Sequence, residues 1–304
     1  MCLKRIQTFQ KTSMLLLVSI QEFLDKAGQG EVELPDHLIQ EFKDSCETAI
    51  KKQFSKREGA KLRMSGIGRP VCQQILSMQD CPKESSYNDI MRFLFGDLIE
   101  AVAMLVIKAA GIKVVGEQKP CSIVLDKENI KGTLDVILDE DGTKKVWDIK
   151  SASDYSFNHK FGSFGGYEKI KEDDTFGYVM QGYLYSTAAG LPFGGWIVVN
   201  KNNGEWIMCA APDDQEQDRK QYIADAKARA KYLLSDKPFR KEFQPEKEMH
   251  KGQPTGNMLM PRTCSFCGHK SKCWPKAKFA PKATSRAQSR PGTWYTKLAK
   301  ESVV

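Results

Sequence analysis

Apolar positions recur along this chain with two periods, and the switches between them mark out its elements. Spacings of three and four predict an amphipathic helix over 6–24, a break at Gly28 and Gly30, and a helix that Pro35 starts and that runs to about Arg57. A longer apolar helix follows in NDIMRFLFGDLIEAVAMLVIKAAG, capped by Asn88 or Asp89 and ended by Gly111. Short strands are then predicted over 112–116, 123–125, 130–138 and 144–149, with DEDG at 139–142 as a hairpin turn. A helix over about 175–189, the strands GGWIVVNK and EWIMCAA, and a polar helix over about 213–234 complete the pattern. This order predicts an α/β fold, a mixed sheet flanked by helices. No internal repeat is evident.

Composition sharpens this only in places. With 304 residues, 41% of them hydrophobic, the chain can fill one large core or two modest ones. The formal charge is +8, yet from Trp274 onward seven Lys or Arg face a single acid, Glu301. The body is therefore nearly neutral, and 276–304 reads as a basic, flexible tail suited to loose phosphate contact or simply to solubility. Four parts are expected: a helical N-terminal arm (1–62), a core (63–240), a cysteine-bearing segment (241–275) and the tail. No run approaches the ~20 apolar residues of a membrane span, so no membrane partner is expected. Lys4, Arg5 and Lys11 precede the short run Met14–Val18 without a cleavage site after it. Nine scattered cysteines point to a reducing compartment, hence a cytoplasmic location, rather than a disulfide framework.

The unusual chemistry lies in KKVWDIKSAS (144–153). Alternation along a strand sends Asp148 and Lys150 to one face, and Trp147 and Ile149 to the other. Asp135 stands on the neighbouring strand across the hairpin, and Glu100 is flanked in its helix by apolar Leu98, Ile99, Ala101 and Val102. A salt bridge accounts for Asp148 and Lys150 alone. Adding two further acids calls for a cation, because buried carboxylates repel one another unless neutralised. Few hard oxygen ligands with room for water and phosphate suit Mg²⁺ or Mn²⁺, and an adjacent ammonium can act on the attacking water or on developing negative charge. Gln181 and Tyr185, four apart on a helix, share a face that can point to the same place.

Taken in order, Glu100, GTLD ending at Asp135, DIK from Asp148 to Lys150, and QGYLY from Gln181 to Tyr185 resemble the PD-(D/E)xK nuclease superfamily. The RecB-type exonuclease branch is the nearer likeness, and LRMSGIGRPVC and RFLFGDLIEAV look like segments of its phage-encoded members. The similarity covers about 62–274. It departs at Leu134, where a Pro is common, and at Glu100, where relatives often carry His. The resemblance implies a restriction-endonuclease-like core and metal-dependent hydrolysis of DNA from an end, in recombination, repair or phage DNA processing, in a host cytoplasm if phage-encoded. It implies metal binding by Glu100, Asp135, Asp148 and the Ile149 carbonyl, with Lys150 acting on water and Gln181 and Tyr185 contacting DNA or positioning the carboxylates. An endonuclease or nickase using the same site, and a non-catalytic DNA-binding component of a recombination complex, are the alternatives.

CSFCGHKSKCW places Cys264, Cys267 and Cys273 as C-x2-C-x5-C, one ligand short of a four-coordinate metal centre. Iron–sulfur members of the same branch, CRISPR-associated relatives included, carry one cysteine before the core and three after it. That resemblance implies a 4Fe-4S cluster on Cys72, Cys264, Cys267 and Cys273, with Cys81 in reserve. Zinc is the alternative, with His269 or His250 completing a Cys₃His site.

Between Ser151 and Asp174, Tyr155, Phe157, Phe161, Phe164 and Tyr167 alternate with His159, Lys160 and Lys169. Such a loop can stack on unpaired bases and track a backbone, and Phe161, Phe164, Lys160 and Lys169 are the expected contacts to single-stranded DNA. The opposing expectation is that these rings fold inward as a local cap.

Overall fold

The computed structural model describes residues 2–55, 61–79, 81, 83, 87–236 and 239–299. Its backbone separates into two units, Met1–Arg69 with Tyr87–Ser235, and Pro70–Ser86 with Asp236–Val304. Among the described residues no helix is long and apolar enough to cross a membrane.

In the first unit α1 (Cys2–Gly28), α2 (Asp36–Phe54) and α3 (Tyr87–Ala109) precede a five-stranded sheet. β1 (Val114–Leu125), β2 (Glu128–Glu140) and β3 (Thr143–Ala152) form an antiparallel meander. α4 (Tyr178–Ala189) then carries the chain over to β4 (Phe193–Asn200), parallel to β3, and β5 (Trp206–Ala210) returns antiparallel at the far edge. α5 (Glu216–Leu233) closes the unit. The α/β class and the mixed sheet between helices are as the sequence predicts. The expected helix to Arg57 ends at Phe54, and Arg57 itself lies outside the described residues.

Alternation explains the layers. Val136 and Leu138 of β2, and Trp147 and Ile149 of β3, pack with Ile20, Ala103, Met104 and Ile107 of α1 and α3. Ile137 and Val146 face the other way, against Met180, Leu184, Tyr185, Ala226 and Ala230 of α4 and α5. The expected N-terminal arm is thus part of this unit, with Ile20 buried in its core. β1 runs unbroken through Pro120 where the sequence suggests two short strands. It is an edge strand, which tolerates a residue without an N–H. At the β2–β3 turn Asp141 and Gly142 both take positive φ, 51° and 90°, and Gly142 N donates to Asp139 Oδ1 at 2.8 Å.

The second unit holds a four-stranded sheet of β6 (Glu246–His250), β7 (Gln253–Leu259), β8 (Lys278–Pro281) and β9 (Gly292–Lys297), in the order β6-β7-β9-β8. The flexible tail expected over 276–304 is corrected here, since most of it forms a hairpin of this sheet; Lys300 and Glu301 lie outside the described residues. The strands are too short for alternation to reveal them, but Tyr295 is only 1% exposed and Trp294 packs with Met260, Cys264 and Trp274. The helix Val71–Met78, expected within the core, belongs to this unit as well.

Candidate active site and cysteine pocket

The register of β2 against β3 pairs Val136 with Trp147, which sets Asp135 across from Asp148 at the next position. Asp135 Oδ2 accepts from Ile149 N at 2.9 Å. Asp148, 2% exposed, is met from two sides: Lys150 Nζ lies 2.5 Å from Oδ2, and Gln181 Nε2 donates to Oδ1 at 2.9 Å. Outside that ion pair Oδ2 has no hydrogen-bond partner. Glu100, supplied by α3, accepts from Gln118 Nε2 and feels the charges of Lys150 and Asp148. Tyr185 is buried one turn beyond Gln181, and its ring fits because residue 132 is Gly. A Cβ there would stand 2.5 Å from the Tyr185 Cε1.

The electrostatics tie these groups into one site. Burial pushes the Asp135 carboxyl well up, and Asp148 and Glu100 add to the rise against the pull of Lys150 and the Ile149 amide. Burial likewise pushes Glu100 up to about 7, with Asp148 and Asp97 on the same side and Lys150 and Lys52 opposing. Burial pulls the Lys150 ammonium down, but Asp148 and Asp135 outweigh it and hold the group above its usual range. The contact with Asp148 and the charges of both acids favour the charged form of Lys150 in the metal-free protein. Burial first, then Asp135 and Asp148, raise the Tyr185 hydroxyl and keep it protonated.

Three contributors escape the sequence reading. Tyr178 lies under Lys150 Nζ, 5.3 Å from its ring centroid, and Lys160 Nζ stands 4.7 Å from the same ring. Tyr178, Gln181 and Tyr185 follow a three-four spacing on α4, so helical periodicity could have found it. Arg69, in the SGIGRP stretch, acts on the Tyr178 hydroxyl. Its backbone is set by a close crossing of Gly68 and Gly177, where a Cβ on either would meet the other's Cα at 2.6 Å. Lys52, held by Asp97 at 2.7 Å, adds positive charge near Glu100, and only the packing of α2 on α3 reveals it.

The aromatic loop divides between the two expectations. Phe161 is 4% exposed and packs on Tyr178 and Trp196, so its expected role as a base-stacking platform is corrected. Phe164 is 72% exposed and stacks on His159 with centroids 5.3 Å apart. Lys160 is engaged with Tyr178 and Phe176, and Lys169 pairs with Glu172 at 2.9 Å on the surface.

In the second unit Cys72, Cys264, Cys267 and Cys273 line one small pocket with Leu76 and Trp274, a cavity of about 20 Å³. Cys81 is not among its lining residues. Burial, then Glu242, pushes the Cys72 thiol up to about 12, and burial raises Cys264 and Cys273. Trp274 Nε1 is buried beside Cys264, whose thiol it pulls down against the rise from burial. His269 Nε2 meets Ser77 Oγ at 3.0 Å, and His250 lines a different cavity.

The donor types suit the two groups the sequence implies: hard carboxylate oxygens on Asp135 and Asp148, one of them unsatisfied beyond its ion pair, and four soft thiols that line one pocket. Among the described residues no three His, Cys, Asp or Glu side chains are already gathered closely enough to hold a metal ion.

No family model matches the chain, and no curated protein matches it. A solved structure, SSO0001, aligns at 14% identity over 76% of this chain and 93% of its own, with a TM-score of 0.42. A likeness this loose carries no argument about fold family or activity.

Proposed function

We propose that this chain is a metal-dependent DNA exonuclease with a restriction-endonuclease-like core of the PD-(D/E)xK type, and that its cysteine pocket holds an iron–sulfur cluster. The observation that carries the reading is the buried cluster in which Asp148 holds Lys150 and Gln181, Asp135 binds the amide of Ile149 between them, and Glu100 lies near enough to feel their charges. Three mutually repelling carboxyls beside a single ammonium leave an excess of negative charge, and that is costly to bury for structural reasons alone.

Asp135, Asp148, Glu100 and the Ile149 carbonyl would hold Mg²⁺ or Mn²⁺, which supplies charge compensation and a more acidic bound water. Lys150, beside Asp148 at 2.5 Å, is placed to stabilise charge that develops on the phosphate oxygens in the transition state. Gln181 fixes the orientation of Asp148, and Tyr185 keeps a protonated hydroxyl close to the acids. For the cysteine pocket, neither histidine that zinc would recruit is among the lining residues: His269 Nε2 meets Ser77 Oγ, and His250 lines another cavity. Four thiols therefore favour a Cys₄ centre over Cys₃His, and the resemblance favours iron.

Digestion of end-labelled linear DNA, single- and double-stranded, beside a covalently closed circle, tests the reading with Mg²⁺ or Mn²⁺. Wild type should shorten the linear substrates progressively and spare the circle, and Lys150→Ala should lose activity by at least ~100-fold. Nicking of the circle would make the enzyme an endonuclease, and inert wild-type protein would end the nuclease reading.

A further inference from the structure

The second unit carries a charge pattern that the hydrolytic site does not use. From Asp236 onward the sequence has fifteen Lys or Arg against five Asp or Glu, whereas the whole chain is only +8. The rest of the chain is therefore slightly acidic, and the positive charge is concentrated in this unit. One of the five acids, Glu248, is turned inward. It is 1% exposed and accepts from Thr255 Oγ1 at 2.9 Å, Asn257 Nδ2 at 2.7 Å and the Tyr295 hydroxyl at 3.1 Å.

Above this buried carboxylate lies a cavity of about 840 Å³. The loop joining β8 to β9 forms one wall and is pinned at its base, where Lys282 N donates to Pro291 O at 2.8 Å and Ala283 N to the Tyr295 hydroxyl at 2.8 Å. Thr284, Ser285, Arg286 and Arg290 of that loop line the cavity, with His250 across from them. Tyr295 and Asn257 already spend their donors on Glu248. The guanidinium groups are different: both arginines are exposed and neither has a hydrogen-bond or ion-pair partner among the described residues. No carboxylate lines the cavity.

A preformed recess with two uncommitted guanidinium groups, hydroxyls and no acid is built for a phosphate, whose oxygens accept forked N–H pairs. We propose that this cavity binds a backbone phosphate of a DNA strand, with Arg286 and Arg290 as its principal contacts. A strand, rather than a free nucleotide, is indicated because the positive charge continues outside the recess through Lys278, Lys282 and Lys297. Phe279, 62% exposed and tilted on Trp294 at 5.3 Å, offers a ring for a base beside it. The proposal rests on the nuclease reading only for the identity of the polymer.

The test uses the full chain and a fluorescein-labelled DNA oligonucleotide in EDTA, so that binding is read without hydrolysis, by anisotropy across a salt series. Arg286→Gln/Arg290→Gln should bind about 10-fold or more weakly at low salt, with a salt slope shallower by about one phosphate contact. Lys43→Gln/Lys51→Gln, which removes two exposed cations from the other unit, should bind as wild type does. Wild-type affinity and slope in the arginine variant overturn the proposal. Displacement of the oligonucleotide by micromolar ATP overturns the assignment to a strand. Persistent degradation with unchanged affinity sinks this proposal alone, whereas arginine-dependent binding by a protein that never cuts DNA sinks only the nuclease reading.

Discussion

Gln181 Nε2 and Asp148 Oδ1 lie 2.9 Å apart, and this bond ties the middle of α4 to the strand that carries the acid. Asp148 has Lys150 on its other oxygen, so Gln181 decides how the carboxylate is turned. Gln181→Ala leaves Oδ1 buried without its donor. The expected result is a loss of ~10- to 100-fold in kcat or in metal affinity, the range for groups that orient a metal ligand, with DNA binding in EDTA unchanged. Global stability should fall by only ~1–2 kcal/mol. Wild-type kcat and metal affinity would remove Gln181 from the site.

Glu100 gives a pH dependence whose direction can be stated. Its carboxyl is raised from 4.5 to about 7 in the folded protein, by burial first and by the neighbouring acids, against Lys150 and Lys52. Between those values the folded chain keeps a proton that the unfolded chain has released. Stability without metal therefore falls as pH rises through this window, and the loss is complete above about 7. Glu100 is half-buried, so solvent screening limits the effect to on the order of 1–3 kcal/mol. Melting curves in EDTA from pH 5 to 8 should show this decline in wild type and a flatter profile in Glu100→Gln. Mn²⁺ should raise the melting temperature most at the alkaline end, and an equal rise at both ends would count against a metal on these acids.

Much of the site is legible in the sequence because strand alternation and helix periodicity are local. The hairpin turn at Asp141 and Gly142 fixes the register, and the register sets Asp135 against Asp148. Lys52 and Arg69 are not legible there, since they arrive through packing of α2 on α3 and through a glycine crossing, both of which join distant segments. The sequence misplaces Phe161 because alternating aromatic and basic residues describe an exposed platform and a capped core equally well. Only the burial against Trp196 separates them. The β8–β9 hairpin stays hidden for a related reason: strands of four and six residues carry too few alternations, and the second partner of β9, β7, is supplied from elsewhere in the chain.

Glu140 and Lys145 form a buried pair at 2.9 Å within the β2–β3 hairpin, and Glu140 also accepts from Trp147 Nε1 at 2.7 Å. Both side chains are almost wholly enclosed. Glu140→Ala would leave an ammonium and an indole N–H buried without this acceptor, at a cost of ~3–5 kcal/mol in unfolding free energy. Glu140→Gln, which keeps an acceptor, should lose less. Because the pair sits on the face opposite Asp148, per-molecule nuclease activity of the folded fraction should stay near wild type. Equal stability of Glu140→Ala and wild type in urea titrations would refute the argument.

Cys72 supplies the test of the cysteine pocket, because it comes from a segment far from the other three in sequence yet lines the same cavity. Buried thiols raised above their usual range bind a metal only by releasing protons, so loading should strengthen with pH. Anaerobically purified wild type should be brown, with iron and acid-labile sulfide in equal amounts. Cys72→Ser should lose most of both and melt at a lower temperature, since the centre closes a long loop as any cross-link does. Cys81→Ser should keep its colour, because Cys81 lies outside the pocket. A colourless wild type with about one zinc per chain would replace iron with a Cys₄ zinc site. Retention of the full cluster by Cys72→Ser, or its loss in Cys81→Ser, would show that the fourth ligand is a different residue.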